Sequence, residues 1–305
     1  MMQQVIDLAT SLGSTPLRTP LIAASGTVGS VFEWEPAGSP EAYGAAVAKS
    51  VSGSPWAGHP GPRMAPAGEG MLNGIGIQNA GIDAWRSDVG PRIAGLGIPV
   101  WGSAVGETPD EFARVAKGLE AAGVTAIELN LSCPNVDGIR FALDPDAAWA
   151  VTASTRSAVS LPIAAKLSPD APDIVGVASA VAEAGADWVV LTNTIPGAAI
   201  DVETGRPALA SVSGGLSGPP MRPIALRCVL EVHRALPDLP IVGCGGVSHG
   251  DHVAEYLLAG ASAVALGTVH FAEPRAGRRI LKELVAYCRR AGFSSVADIV
   301  GEVEW

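Results

Sequence analysis

The hexapeptide Asn130-Leu131-Ser132-Cys133-Pro134-Asn135 sets a thiol between two carboxamides where an apolar run stops. The run covers residues 125–132, and Pro134 ends it because proline brings no N–H to a strand ladder. Each carboxamide offers donors and an acceptor, and a thiol held beside them suits proton abstraction from a hydrogen-bonded heterocycle. A lone cysteine is more often a small buried hydrophobe, and two others here fit that plainer description. Cys288 continues the helical face of Leu281, Leu284 and Val285, and Cys228 follows Ile224 by four residues. Cys244, inside Gly243-Cys244-Gly245-Gly246, is open to either reading. With no CxxC, neither a zinc site nor an iron–sulfur cluster is encoded.

Other polar residues recur at the ends of apolar runs. Ser25-Gly26-Thr27, Lys49, Lys166, Asn193-Thr194, Gly245-Gly246 and Gly267-Thr268 all stand where such a run finishes. One lysine closing a strand is often snorkelling. Two on one rim point to an anion. Glycines after the last two runs expose backbone N–H groups, which a phosphate needs, although the pattern also marks tight turns. No GxGxxG opens an early strand-to-helix turn, so a Rossmann nicotinamide site is not indicated. His249 and His252 stand three apart with no third ligand in view and read as a solvated helix start.

The elements that must carry these residues alternate along the chain. Strand-like runs fall at 20–24, 45–49, 98–101, 125–131, 162–167, 188–192, 240–244 and 263–266, separated mainly by helical patterns. Eight strands in that rhythm predict an α/β fold, a closed (β/α)8 TIM barrel, with the polar residues gathered on the C-terminal rim. Thr108-Pro109-Asp110-Glu111 predicts a capping box, followed by Phe112, Val115, Ala116 and Leu119 on one face. Ile174, Val177, Ala178 and Val181 repeat that face, and Ala-Gly pairs at 122–123, 184–185 and 259–260 predict left-handed helix ends. Two connections, 50–73 and 194–220, exceed a barrel turn and follow strand ends, so they are expected to cover a ligand. No linker divides the chain, and residues 1–305 are expected to form one domain.

Thirty acidic against twenty basic residues give a net charge of -10, which leaves no basic stripe for nucleic acid or anionic membrane. Apolar runs fall short of the roughly 18 to 20 residues of a membrane span. Met1-Met2-Gln3-Gln4 lacks the basic start of a leader, so a cytoplasmic location is expected.

Taken together the motifs resemble the class 1 dihydroorotate dehydrogenases, and within them class 1B. The resemblance rests on Ala24-Ser-Gly-Thr27, Met71-Leu-Asn-Gly-Ile-Gly-Ile-Gln-Asn79, residues 130–135, Asn193-Thr194, Gly214-Gly-Leu-Ser-Gly-Pro219 and Gly260-Ala-Ser-Ala263, in the family's order. It implies an FMN barrel that oxidises (S)-dihydroorotate to orotate in pyrimidine synthesis. By the same resemblance Cys133 would take the C5 proton while the C6 hydride passes to flavin N5. Asn73, Asn130, Asn135, Asn193 and Thr194 would hold the pyrimidine, and the N–H groups of Gly76 and Ile77 would meet its carboxylate. Lys49 would lie between flavin and substrate, and Lys166 near the flavin ring. Ser25, Gly26, Ser103, Asn130, Ser217, Gly218, Gly245, Gly246, Gly267 and Thr268 would complete the cofactor site.

The sequence departs from the family at three places: Ser103 stands where Asn is usual, Val28 replaces an aromatic, and the loop after Cys133 is short. A homodimer is implied, with a second subunit carrying FAD and a two-iron cluster through which NAD is reduced. A flavin barrel similar to the last domain of dihydropyrimidine dehydrogenase is the alternative; Asn135 and the absence of appended iron–sulfur segments argue against it. A flavin-free phosphate-sugar barrel would share the glycines but use a carboxylate base.

Overall fold

A computed structural model describes residues 5–131 and 141–304. Eight parallel strands close a barrel: β1 Leu21–Ala23, β2 Ala45–Val47, β3 Val100–Ala104, β4 Ala126–Asn130, β5 Ile163–Lys166, β6 Trp188–Leu191, β7 Ile241–Cys244 and β8 Ala263–Leu266. The last strand pairs with the first, Ala265 opposite Ile22, so the expected barrel is present. The third strand needs correction. Its expected start falls on Ile98-Pro99, where proline cannot donate to a ladder. Instead the strand continues to Ala104, with Ser103 opposite Glu128.

Side chains alternate between the two sides of the barrel wall, as a period of two requires. Ile22, Val47, Trp101, Ala126, Ala164, Trp188, Val190 and Val242 pack together inside. Leu21, Ala46, Ile127, Leu129, Ala165 and Val189 pack outward with the helices. Inside, alanines leave space that Trp101 and Trp188 occupy, their rings 5.1 Å apart and tilted by 49°.

The helices begin where local chemistry starts them. In α1, Gly81–Asp88, the first turn follows the β2 connection; α2, Pro109–Ala121, is capped by Thr108 Oγ1, which accepts from Glu111 N at 3.2 Å. Only half of the expected capping box forms, because the Glu111 carboxylate accepts from Glu107 N and Gly53 N and so ties the helix to the loop after β2. Asp144 caps α3, Pro145–Arg156, and Asp173 caps α4, Ile174–Glu183. Three more follow: α5 Arg222–Ala235, α6 Gly250–Leu258 and α7 Ala276–Ala291. Gly123, Gly185 and Gly260 take φ of 90°, 101° and 106° at the expected helix ends. Cys228 and Cys288 are buried in the helix layer.

The two long connections meet. Strands Ile195–Ala198, Ser213–Ser217, Gly70–Asn73 and Met64–Ala67 form one antiparallel sheet in that order, so residues 50–73 and 194–220 build a common cover. The turn expected around Gly205 joins a short hairpin of Ile200–Asp201 and Arg206–Pro207. Among the described residues no helix is long and apolar enough to cross a membrane.

Candidate functional site

Between the C-terminal rim of the barrel and that antiparallel sheet lies a cavity of about 380 Å³, a size that suits a cofactor or small ligand. Its lining contains Ser25, Gly26, Lys49, Asn73, Ile77, Asn130, Lys166, Asn193, Thr194, Ser217, Gly218, Gly245, Gly246, Gly267 and Thr268. Residues named one by one from strand ends and loops therefore converge. Gly76 and Ser103 fall outside the lining. Gly76 is buried beside His59, and Ser103 sits one layer lower because β3 runs past it. Cys133 and Asn135 lie outside the described residues.

The cavity also takes residues outside that candidate set, among them Cys244, which the sequence had left open. Ser50, Thr192 and Cys244 come from the rim, while Met64, Met71, Met221 and Phe271 supply apolar surface. Below it, Glu128 is buried at 2% exposure in the middle of β4. A carboxylate between Ile127 and Leu129 in an apolar strand was the available signal.

Hydrogen bonds fix the carboxamides. Asn130 Nδ2 donates to Ser50 Oγ at 3.2 Å, and Asn193 Nδ2 donates to Asn130 Oδ1 at 3.1 Å. Thr194 N donates to Asn193 Oδ1 at 2.8 Å, and Asn73 Nδ2 to the Gly215 carbonyl at 3.1 Å. Ser50 and Ser103 hydroxyls lie 2.9 Å apart, which carries the chain down into the barrel. Each amide is thus oriented by its neighbours, the pre-organisation that recognition of a polar ring requires.

Lys166 is 6% exposed, and its ammonium is held above the usual lysine range. Burial opposes the charge, and the Glu128 carboxylate is the first influence acting the other way. Burial pushes the Cys244 thiol up, so it remains neutral although Lys166 works against that. Thr27, also in the lining, donates to Ala24 O at 2.9 Å and so accepts from His270 Nδ1, 3.1 Å away. His270 Nε2 is then left to accept from Tyr43 Oη at 2.8 Å. Burial pushes His270 down to about 4, in keeping with a neutral ring that steadies this turn.

At the other end of the cavity the chain turns on glycine for steric reasons. Gly246 has φ of 67°, and a Cβ there would lie 2.7 Å from Arg222 N and 2.9 Å from Gly218 O. A Cβ on Gly245 would press on Ala225 Cβ at 2.8 Å. Bare backbone on this side, Lys49 and Lys166 in the lining and apolar walls between make a donor set that fits a phosphate-bearing flavin.

A family model for dihydroorotate dehydrogenase matches residues 7–287. This chain belongs to the dihydroorotate dehydrogenase family. It is 42% identical over 301 residues to the "Dihydroorotate dehydrogenase B (NAD(+)), catalytic subunit" of Geobacter sp. strain M21, covering 98% of both chains. The proteins of the same description from Geobacter sulfurreducens and Desulforudis audaxviator are 43% and 41% identical, covering 98% and 97% of both chains. Among solved structures it is similar to a dihydroorotate dehydrogenase from Eimeria tenella, crystallised with ferulenol. That match has a TM-score of 0.84 at 20% identity, covers 99% of this chain and 90% of the other, and supports the fold. Dihydroorotate dehydrogenases are flavin-dependent oxidoreductases of pyrimidine biosynthesis, and the cavity described above is this member's candidate active site.

Proposed function

We propose that this chain is the catalytic subunit of an NAD-linked dihydroorotate dehydrogenase, with FMN in the cavity and (S)-dihydroorotate beside Asn73, Asn130 and Asn193. The observation that carries the reading is the convergence of these three carboxamides with Lys49, Lys166 and the glycine turn in one enclosure. When bound, the flavin supplies the acceptor for the hydride that leaves C6. Ser217, Gly218, Gly245, Gly246, Gly267 and Thr268 would hold its phosphate and ribityl portions, and Ser25, Gly26 and Lys166 would meet its ring. Lys166 holds positive charge on the cavity floor, where a low local dielectric makes it effective against negative charge arriving in the reaction.

Asn73, Asn130, Asn135, Asn193 and Thr194 would pair with the amide edges of the pyrimidine, and Gly76 and Ile77 N–H groups would meet its carboxylate. Cys133 would accept the C5 proton. Ser103 would contribute from below through Ser50 and not by direct contact. The described fold holds no GxGxxG turn, and reduction of NAD is assigned to a partner subunit with FAD and a two-iron cluster, acting on a homodimer in the cytoplasm.

A visible spectrum of the purified protein, followed by anaerobic addition of dihydroorotate, tests this. The expected result is a flavin band that bleaches on mixing, and Cys133→Ala should slow the bleaching at least 100-fold at neutral pH, the usual scale for loss of a general base. A flavin band untouched by dihydroorotate would point to another pyrimidine substrate. A colourless protein that FMN cannot reconstitute would refute the flavin reading.

A further inference from the structure

Glu128 is a buried carboxylate that the reaction above does not use. Ile127 and Leu129 on either side pack outward with the helices, so Glu128 points into the barrel. Ser25 Oγ, from the turn after β1, donates to its Oε1 at 2.9 Å. Ser103 Oγ, from β3, donates to the same oxygen at 3.4 Å. The carboxylate is thereby fixed from two other strands. On its remaining side runs β5, in a register that sets Ala164 opposite Glu128 and Lys166 opposite Asn130. Lys166 faces inward as well, since Ala165 packs outward.

An ammonium at that depth without a counter-charge gives up its proton. The groups around Lys166 are Glu128 from β4, Cys244 from β7 and Lys49, which lines the same cavity beyond β2; β6 brings Val190 and Thr192. Cys244 remains a neutral thiol and Lys49 has like charge, which leaves Glu128 as the counter-ion.

We propose that Glu128 is a positioning residue, a carboxylate pinned by Ser25 and Ser103 that keeps the Lys166 ammonium charged beneath the cavity. Its value to the reaction rests on the flavin reading, but the coupling of the two charges does not. Ser103 joins this pair to the carboxamides through Ser50, so the floor charge and the ring-binding groups share one hydrogen-bonded chain.

A double-mutant cycle read by thermal melting tests the pair, using the purified wild type, Glu128→Gln, Lys166→Met and the double variant between pH 6 and 9. Each single change should lower the melting temperature by roughly 5 °C or more at pH 7, because it strands a buried charge. The double variant should recover at least half of that loss. The pH trends of the single variants should differ. In Glu128→Gln the folded protein binds the Lys166 proton less tightly than the unfolded chain, so its deficit shrinks as pH rises. Lys166→Met has lost that titrating ammonium, so its deficit should not shrink as pH rises.

Additive losses with parallel pH trends would overturn the proposal. If Glu128→Gln gives no soluble protein, recovery of soluble protein in the double variant supports the pair and its failure overturns it. Flavin content is read separately from the visible absorbance of the same preparations. A colourless protein with full thermal coupling would sink the flavin assignment and leave the pair standing.

Discussion

Single side chains in this cavity act through the partner that orients them. Asn130 and Asn193 share one hydrogen bond, and Asn193 spends its own oxygen on the Thr194 N–H. Asn193→Ala would therefore remove the proposed ligand contact and leave Asn130 held only by its bond to Ser50. A lost hydrogen bond of about 1 to 3 kcal/mol corresponds to a rise in the KM for dihydroorotate of roughly 5- to 150-fold. Flavin content should stay unchanged, and steady-state kinetics with the visible spectrum check both. His270 allows a second expectation. Its folded pKa of about 4 lies below the ordinary histidine value, so the unfolded chain binds the extra proton first as pH falls. Stability is full above about pH 6.5 and falls by about 3 kcal/mol as pH drops toward 4. Denaturant melts of wild type and His270→Gln across this window should show a shallower slope in the variant.

At the scale of elements, glycines set how closely strands and helices approach. In the antiparallel cover, a Cβ on Gly215 would lie 2.0 Å from Thr194 Oγ1 and 3.3 Å from Asn73 Nδ2. Gly215→Ala must therefore push two cavity side chains aside from a position outside the lining. The expected outcome is weaker dihydroorotate binding with near-normal flavin content, checked by titration of the flavin spectrum. Gly118 in α2 poses the opposite balance of terms. Alanine there gains about 1 kcal/mol of helix propensity, yet its methyl would meet Ile82 of α1 at 2.3 Å. Overpacking of about 1 to 3 kcal/mol exceeds the gain, so Gly118→Ala should unfold at lower denaturant than the wild type. The Thr108 cap and the Gly123, Gly185 and Gly260 ends were legible because capping depends on a few adjacent residues, whereas the Asp144 and Asp173 caps emerged only from the structure.

Across the whole molecule, the barrel interior is a packed floor for the cavity. Trp101 and Trp188 fill what small residues leave, and Trp188→Ala should cost about 3 to 5 kcal/mol, measured by chemical denaturation, with flavin retention falling alongside. The sequence by itself determined the alternation of strand and helix, the polar strand ends and the family motifs, since side-chain period and turn chemistry act over a few residues. It placed fifteen of its candidates on a cavity wall without any knowledge of the cavity's shape. Only the tertiary structure decided that β3 reaches Ala104, that residues 50–73 and 194–220 share one sheet, and that Ser50 and Glu128 belong with the site. Those facts depend on which residues of distant strands come opposite one another when the barrel closes. Such long-range register has no local trace in the chain.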